Sequence, residues 1–178
     1  MSRTRYKILK DDTNPYFVTS TVVNWLPLLE NSDIAHIILN SLAFLQKEKR
    51  IIIYAYVLMK THLHLVVSAA DLSKEMANFR SYTARKSIDF FKEHGRQDIL
   101  QSLSQQKLSL RVDRDYQFWQ EGLQPKRIYD RKMMQQKIMY IHENPVRKGY
   151  VVKAENWLSS SAGIYDGAKG PLDICMDW

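Results

Sequence analysis

RIIIYAYVLM (residues 50–59), KT (60–61) and HLHLVVS (62–68) are the residues on which the fold turns. Both apolar runs are dense in β-branched and aromatic side chains, the composition of strands. Only Lys60 and Thr61 separate them, so the two runs form an antiparallel hairpin with a tight turn. Residues two apart on a strand share a face. His62 and His64 therefore project together, while Leu63 and Leu65 face the other way.

Working outward, PYFVTSTVV (15–23) reads as an earlier strand. Asn31, Ser32 or Asp33 can cap the helix that follows, with Ile34, Ile38, Leu42 and Leu45 on its apolar face to about Glu48. Beyond the hairpin, Asp71 or Ser73 opens a long helix through Met76, Phe79, Thr83 and Phe90, stopping at Gly95. Residues 96–125 are Gln- and Ser-rich and read as a connector holding a short helix around 98–104. KRIY (126–129) is a short strand. A helix runs from Arg131 to about Glu143, and Pro145 is expected to end it. Trp157, Tyr165 and Trp178 are expected to pack across the domain. This order gives an α+β fold: a ferredoxin-like antiparallel sheet with helices on one face, plus a C-terminal helix, in one domain spanning 1–178.

Composition bounds the function. The 178-residue chain has a formal charge of +7 and 45% hydrophobic residues, enough for one globular core and a bias toward polyanion partners. Cys175 is the single cysteine, which excludes an internal disulfide and a cysteine-based zinc site. The basic N-terminus has no apolar stretch after it, as a signal peptide would, and residues 51–59 are too short an apolar run to cross a bilayer. A cytoplasmic protein without a membrane partner is expected.

Two constellations can carry chemistry. His62 and His64 form half of a metal site; the alternative is two strand histidines, one satisfied by a hydrogen bond and the other solvated, but polar rings in so apolar a strand need partners. The second is MYIHENPVRKGYV (139–151). Met134, Ile138 and Ile141 make the core stripe of its helix, Tyr140 sits on the flank of that stripe, and Asn144 lies one turn above Tyr140. A tyrosine so placed is most often a packing residue; the histidine pair would give it a different role. Between Lys126 and Lys153, eight basic residues face only Asp130 and Glu143, a local surplus of +6 that suits a phosphate-backbone groove. Phe118, Trp119, Tyr129 and Trp157 could stack on unpaired bases or cover the sheet.

With these residues in place, AYVLMKTHLHLVVSA resembles the histidine-motif segment of the single-tyrosine HUH transposases. FWQEG, YIHENPVRKGYV and WLSSSAGIY, in that order, resemble the REP-associated tyrosine transposase branch of the group. The likeness runs from about Phe17 to Tyr165. It implies a ferredoxin-like fold, hairpin-bearing single-stranded DNA as substrate, association with the nucleoid, and a divalent metal, Mg²⁺ or Mn²⁺. Carried over by position, His62 and His64 match metal ligands, Tyr140 the nucleophile, and Asn144 a third, polar ligand. Lys60-Thr61 replaces the usual Pro-Asn turn, and EGLQPKRIYD departs from the common pattern. Tyr129 is the rival nucleophile, outside the stronger motif. The expected DNA contacts are Arg80, Arg85, Lys86, Trp119, Lys126, Arg127, Arg131, Lys137, Arg147 and Lys148.

The chemistry so implied is cleavage and rejoining of a single strand through a 5′-phosphotyrosine. A free tyrosine, with a pKa of about 10, is protonated at neutral pH, so a neighbouring cation or a metal-bound hydroxide must assist; Lys137, one turn before Tyr140, is a candidate. Rival readings are a non-catalytic hairpin-binding module and a metal nuclease using water. The long connector also allows a homodimer in which the tyrosine helix docks on a partner.

Overall fold

The computed structural model describes residues 13–106 and 115–178. The basic N-terminal dodecapeptide and residues 107–114 of the connector lie outside the described residues.

A four-stranded sheet organises the chain. Its strands are β1 (Tyr16–Thr21), β2 (Ile52–Leu58), β3 (His62–Ser68) and β4 (Lys126–Arg127), in the spatial order β2-β3-β1-β4, every pair antiparallel. With α1 (Ser32–Lys47) between β1 and β2 and α2 (Leu72–Glu93) between β3 and β4, this is the expected α+β, ferredoxin-like arrangement. The hairpin closes across Lys60 and Thr61, with the Met59 N–H donating to the His62 carbonyl at 2.8 Å.

The strands alternate as their sequence demands. Val18, Leu63, Leu65, Val67, Tyr56 and Leu58 face α1 and α2, meeting Ile34, Ile38, Leu42 and Leu45 of the first and Leu72, Met76 and Phe79 of the second. Phe17, Val66, Ala55 and Val57 face the other side, where α4 (Arg131–Arg147) covers them with Met134, Ile138 and Ile141. Each of these three is worth roughly 1.5–3 kcal/mol of burial. A bulge at Ile53/Ala55 resets the alternation in β2. Covered on both faces, β3 has all seven residues buried. The tyrosine-bearing helix thus takes the face opposite α1 and α2.

Local chemistry fixes the helix ends. Asn31 Oδ1 accepts from the Asp33 and Ile34 amides, Asp71 Oδ1 from Lys74, and Asp130 Oδ1 from Met133. In the connector, α3 spans Gln97–Gln105, close to its expected place. One expectation fails: Pro145 does not end α4, which continues through it to Arg147. Proline there removes only its own N–H bond one turn back. The stop comes at Gly149, left-handed at φ 69°. Its N–H donates to the Val146 carbonyl and that of Tyr150 to the Pro145 carbonyl, a Schellman closure that needs a left-handed residue.

The last stretch straps the free edge of β2. Ser159 and Ser161 bond the backbone of Leu58 and Tyr56, Cys175 donates to Ile53, and the Trp157 indole donates to the Leu58 carbonyl. Trp157, Tyr165 and Trp178 then pack around the α4 core, as expected. A last turn of helix, α5, spans Ala162–Tyr165.

Candidate active site

His62 and His64 face α4 from the central strand β3, 7% and 6% exposed, with ring centroids 4.6 Å apart. Each Nδ1 is held by a threonine hydroxyl: His64 by Thr19 Oγ1 at 2.8 Å, His62 by Thr61 Oγ1 at 2.9 Å. Thr19 reaches His64 because β1 and β3 pair those two residues in register. A hydroxyl that accepts from Nδ1–H fixes the tautomer whose Nε2 carries a lone pair, the arrangement by which ligating histidines are oriented. Burial lowers the His62 pKa to about 4, helped by the charge of Lys148; burial lowers that of His64 to about 3, helped by His62. Both rings are therefore neutral at pH 7.

Tyr140 stands beside this pair. Its ring centroid lies 5.5 Å from that of His64 and 5.7 Å from that of Phe17, both edge to face; Phe17 meets His64 at 5.2 Å. Unlike the stripe residues of its helix, Tyr140 is 39% exposed, so the residue is reachable from solvent. Asn144 is buried one helical turn on. The Arg147 guanidinium lies 5.5 Å over the Tyr140 ring, whereas the Lys137 ammonium lies over Phe17 at 5.1 Å. The cation nearest the tyrosine ring in this set is thus Arg147, where sequence reasoning had placed Lys137. Burial, with Lys126 second, lowers the Lys137 pKa.

The donor set suits a divalent cation. With Nδ1 bonded to a threonine hydroxyl, each neutral imidazole could present Nε2 to a metal, and the buried Asn144 carries an amide oxygen of the type that could join them; both are ligand types for Mn²⁺ and, less readily for the imidazoles, Mg²⁺. Among the described residues no group of three or more His, Cys, Asp or Glu gathers into a metal cluster. Such a shell would be incomplete from protein alone, leaving positions for water or substrate oxygens.

The other expected contacts divide by place. Lys137, Arg147 and Lys148 border the Tyr140–His face. Lys126 and Arg127 lie on β4, with Arg127 over Tyr129 at 5.3 Å, and Arg131 lies over Trp178 at 5.7 Å. Arg80, Arg85 and Lys86 sit on α2, across the sheet from the histidines, and do not join them. Arg80 donates to the Gln120 carbonyl, and Arg85 lies over Tyr82. Trp119 corrects the expectation of a stacking surface: it is 5% exposed and its indole N–H donates to Thr83 Oγ1 at 3.0 Å. Phe118 is likewise buried. Both rings serve to pin the segment after the connector onto α2. Sequence reasoning missed Thr19, Thr61, Phe17 and Trp25, whose ring meets that of His62 at 5.8 Å. Strand register would have nominated Thr19; nothing in the sequence marked Trp25.

No protein-family model matches this sequence, and no curated protein matches it. Among solved structures it is similar to a REP-associated tyrosine transposase bound to a REP hairpin, with a TM-score of 0.60, 21% identity, and coverage of 100% of this chain and 91% of that one. The chain has the fold of a REP-associated tyrosine transposase. The helix that carries Tyr140 docks on the sheet of its own chain, so Tyr140 and the histidine pair meet without a partner. Among the described residues no helix is long and apolar enough to cross a membrane.

Proposed function

We propose that this protein cleaves and rejoins single-stranded DNA at hairpin-bearing ends through a 5′-phosphotyrosine at Tyr140. The observation that carries the reading is the approach of Tyr140 to His64, at 5.5 Å between ring centroids, beside two buried neutral histidines. A divalent cation held by His62, His64 and Asn144 would neutralise charge on a non-bridging phosphate oxygen, which otherwise repels a nucleophile. Tyr140 Oη attacks phosphorus; the Oη–P bond forms and the P–O3′ bond breaks, leaving a free 3′-hydroxyl. Because a phosphoester replaces a phosphoester, a second 3′-hydroxyl can run the step backward and join strands.

The remaining groups assist by position. Arg147, over the Tyr140 ring, supplies positive charge to the phosphate backbone together with Lys148 and Lys137. Thr19 and Thr61, bonded to Nδ1 of His64 and His62, would orient the imidazoles for ligation.

Incubation with hairpin-bearing single strands and Mn²⁺, followed by a denaturing gel, tests this directly. A covalent protein–DNA adduct that disappears in Tyr140→Phe is expected. Cleavage that survives in that variant would make water the nucleophile, and tight hairpin binding without cleavage would leave a binding module; either result overturns the proposal.

A further inference from the structure

Trp25 is the largest side chain at this site that the chemistry above leaves without a role. It is 59% exposed, and its ring meets His62 edge to face at 5.8 Å and 76°. The backbone that holds it there is strained. Asn24 and Trp25 are both left-handed, at φ 52° and 56°, a conformation in which a Cβ crowds the carbonyl oxygen and which glycine adopts freely. The loop is clamped in this shape: the Val22 amide donates to Thr61, that of Val23 to Phe118, and that of Leu29 to Lys60, at 2.8–3.0 Å. The outcome is a large flat apolar ring in solvent at the edge of a catalytic centre. Burial does not offset the strain, and such outliers cluster where a ligand is met.

Its place relative to Tyr140 says which part of the substrate it would meet. Tyr140 contacts His64 and Trp25 contacts His62, so the two aromatic side chains flank the histidine pair at opposite ends. In an in-line displacement the entering and leaving oxygens stand on opposite sides of phosphorus. With the phosphate seated at the histidines, Tyr140 enters from the His64 end, and the 3′-oxygen departs toward the His62 end.

We infer that Trp25 stacks on the base of the nucleotide that carries the leaving 3′-hydroxyl. This rests on the function proposed above. As Oη–P forms and P–O3′ breaks, the phenolic proton is given up to solvent and the 3′-oxygen takes one, so the freed strand has no covalent tie to the protein. Stacking on Trp25 keeps it at the site, with its hydroxyl available for the reverse step. An indole face accepts any base, so the contact positions the strand without reading its sequence.

The test uses a labelled hairpin with thymidine tails at both ends, bound in chelator so that metal plays no part. Trp25→Ala should weaken binding about tenfold, the range for loss of one base–aromatic stack, while Trp25→Phe retains most of it. Trp25→Gly should bind as poorly as the alanine variant yet melt at a higher temperature, because it relieves the left-handed strain. A ring needed only for structure would not move the two readouts in opposite directions. With Mn²⁺ present, Trp25→Ala should accumulate adduct and free 3′ strand, with rejoining lost more than cleavage. Tails of abasic sugar-phosphate should remove the difference between wild type and variant. If wild type forms the adduct and Trp25→Ala binds the thymidine-tailed hairpin equally well, this inference is overturned and the proposed function stands. If wild type neither binds the hairpin nor forms the adduct, both fall.

Discussion

Tyr140 and His64 lie ring to ring, 5.5 Å between centroids, although one belongs to a helix and the other to the strand beneath it. The contact exists because Met134, Ile138 and Ile141 seat α4 on the sheet and leave Tyr140 on the flank that overhangs the histidines.

Tyr140→Phe should therefore abolish both cleavage and the covalent adduct while leaving Mn²⁺ and hairpin binding at wild-type strength. Tyr129, 74% exposed and away from the pair, should be replaceable by Phe without loss. Gel analysis of both variants checks the assignment; an adduct persisting on Tyr140→Phe defeats it.

Removing either imidazole should eliminate cleavage and spare most DNA affinity, since the cations proposed to bind phosphate are separate side chains that the change leaves in place. Asn144→Ala should be milder, because water can replace one neutral ligand. Mn²⁺ should bind more tightly than Mg²⁺. Calorimetric titration of His62→Ala and His64→Ala with Mn²⁺ reads this out, and unchanged Mn²⁺ affinity in the double variant counts against the site.

Thr19→Val keeps the shape of the side chain and deletes the hydroxyl that holds His64 Nδ1. Loss of such an orienting partner costs about 10–100-fold in metal affinity or activity. The expected signature is weaker Mn²⁺ binding with hairpin affinity intact. Equal Mn²⁺ affinity in the variant would mean that the hydroxyl does not orient the ring.

Acid should unfold the metal-free protein early. His62 and His142 titrate in the folded state at about 4, and His64 at about 3, all through burial first; an unfolded histidine titrates at about 6.5. Between these values the unfolded chain binds more protons, so stability is full above about pH 6.5 and falls as pH drops toward 4. Thermal melts across this range should show a falling Tm, and a Tm that holds level or rises between pH 6.5 and 4 contradicts the argument.

Hairpin affinity should fall linearly with salt on logarithmic axes. Lys148→Ala or Arg147→Ala should each reduce that slope by about 0.7–0.9 if the residue neutralises one phosphate. Arg85→Ala and Lys86→Ala, across the sheet, should leave it unchanged. A slope that responds to the α2 pair instead would move the DNA to the other face.

Much of this was legible in the chain, and the rest was hidden for physical reasons. The hairpin around Lys60-Thr61 and the shared face of His62 and His64 follow from a strand's period of two. Tyr140 and Asn144 follow from helical spacing. Thr19 depends on register between strands far apart in sequence, which no local pattern encodes. Trp119 reads in sequence as a ring that could stack on bases or cover the sheet; only the tertiary bond to Thr83 decides for the buried role. Pro145 misled because a proline in the last turn forfeits a single hydrogen bond, too little to unwind a helix closed beyond it by Gly149. Asn24 and Trp25 adopt a glycine conformation without glycine, so no residue type announces it.

The strap of Ser159, Ser161 and Cys175 along β2 bears on how this chain can be handled. Shortened at Asn156, the chain would leave the backbone of Tyr56 and Leu58 unpaired on the edge of an apolar strand, and bare edges recruit other edges. Shortened chains would then join to one another through β2. The strap is thus expected to keep β2 from pairing with a second copy of the chain.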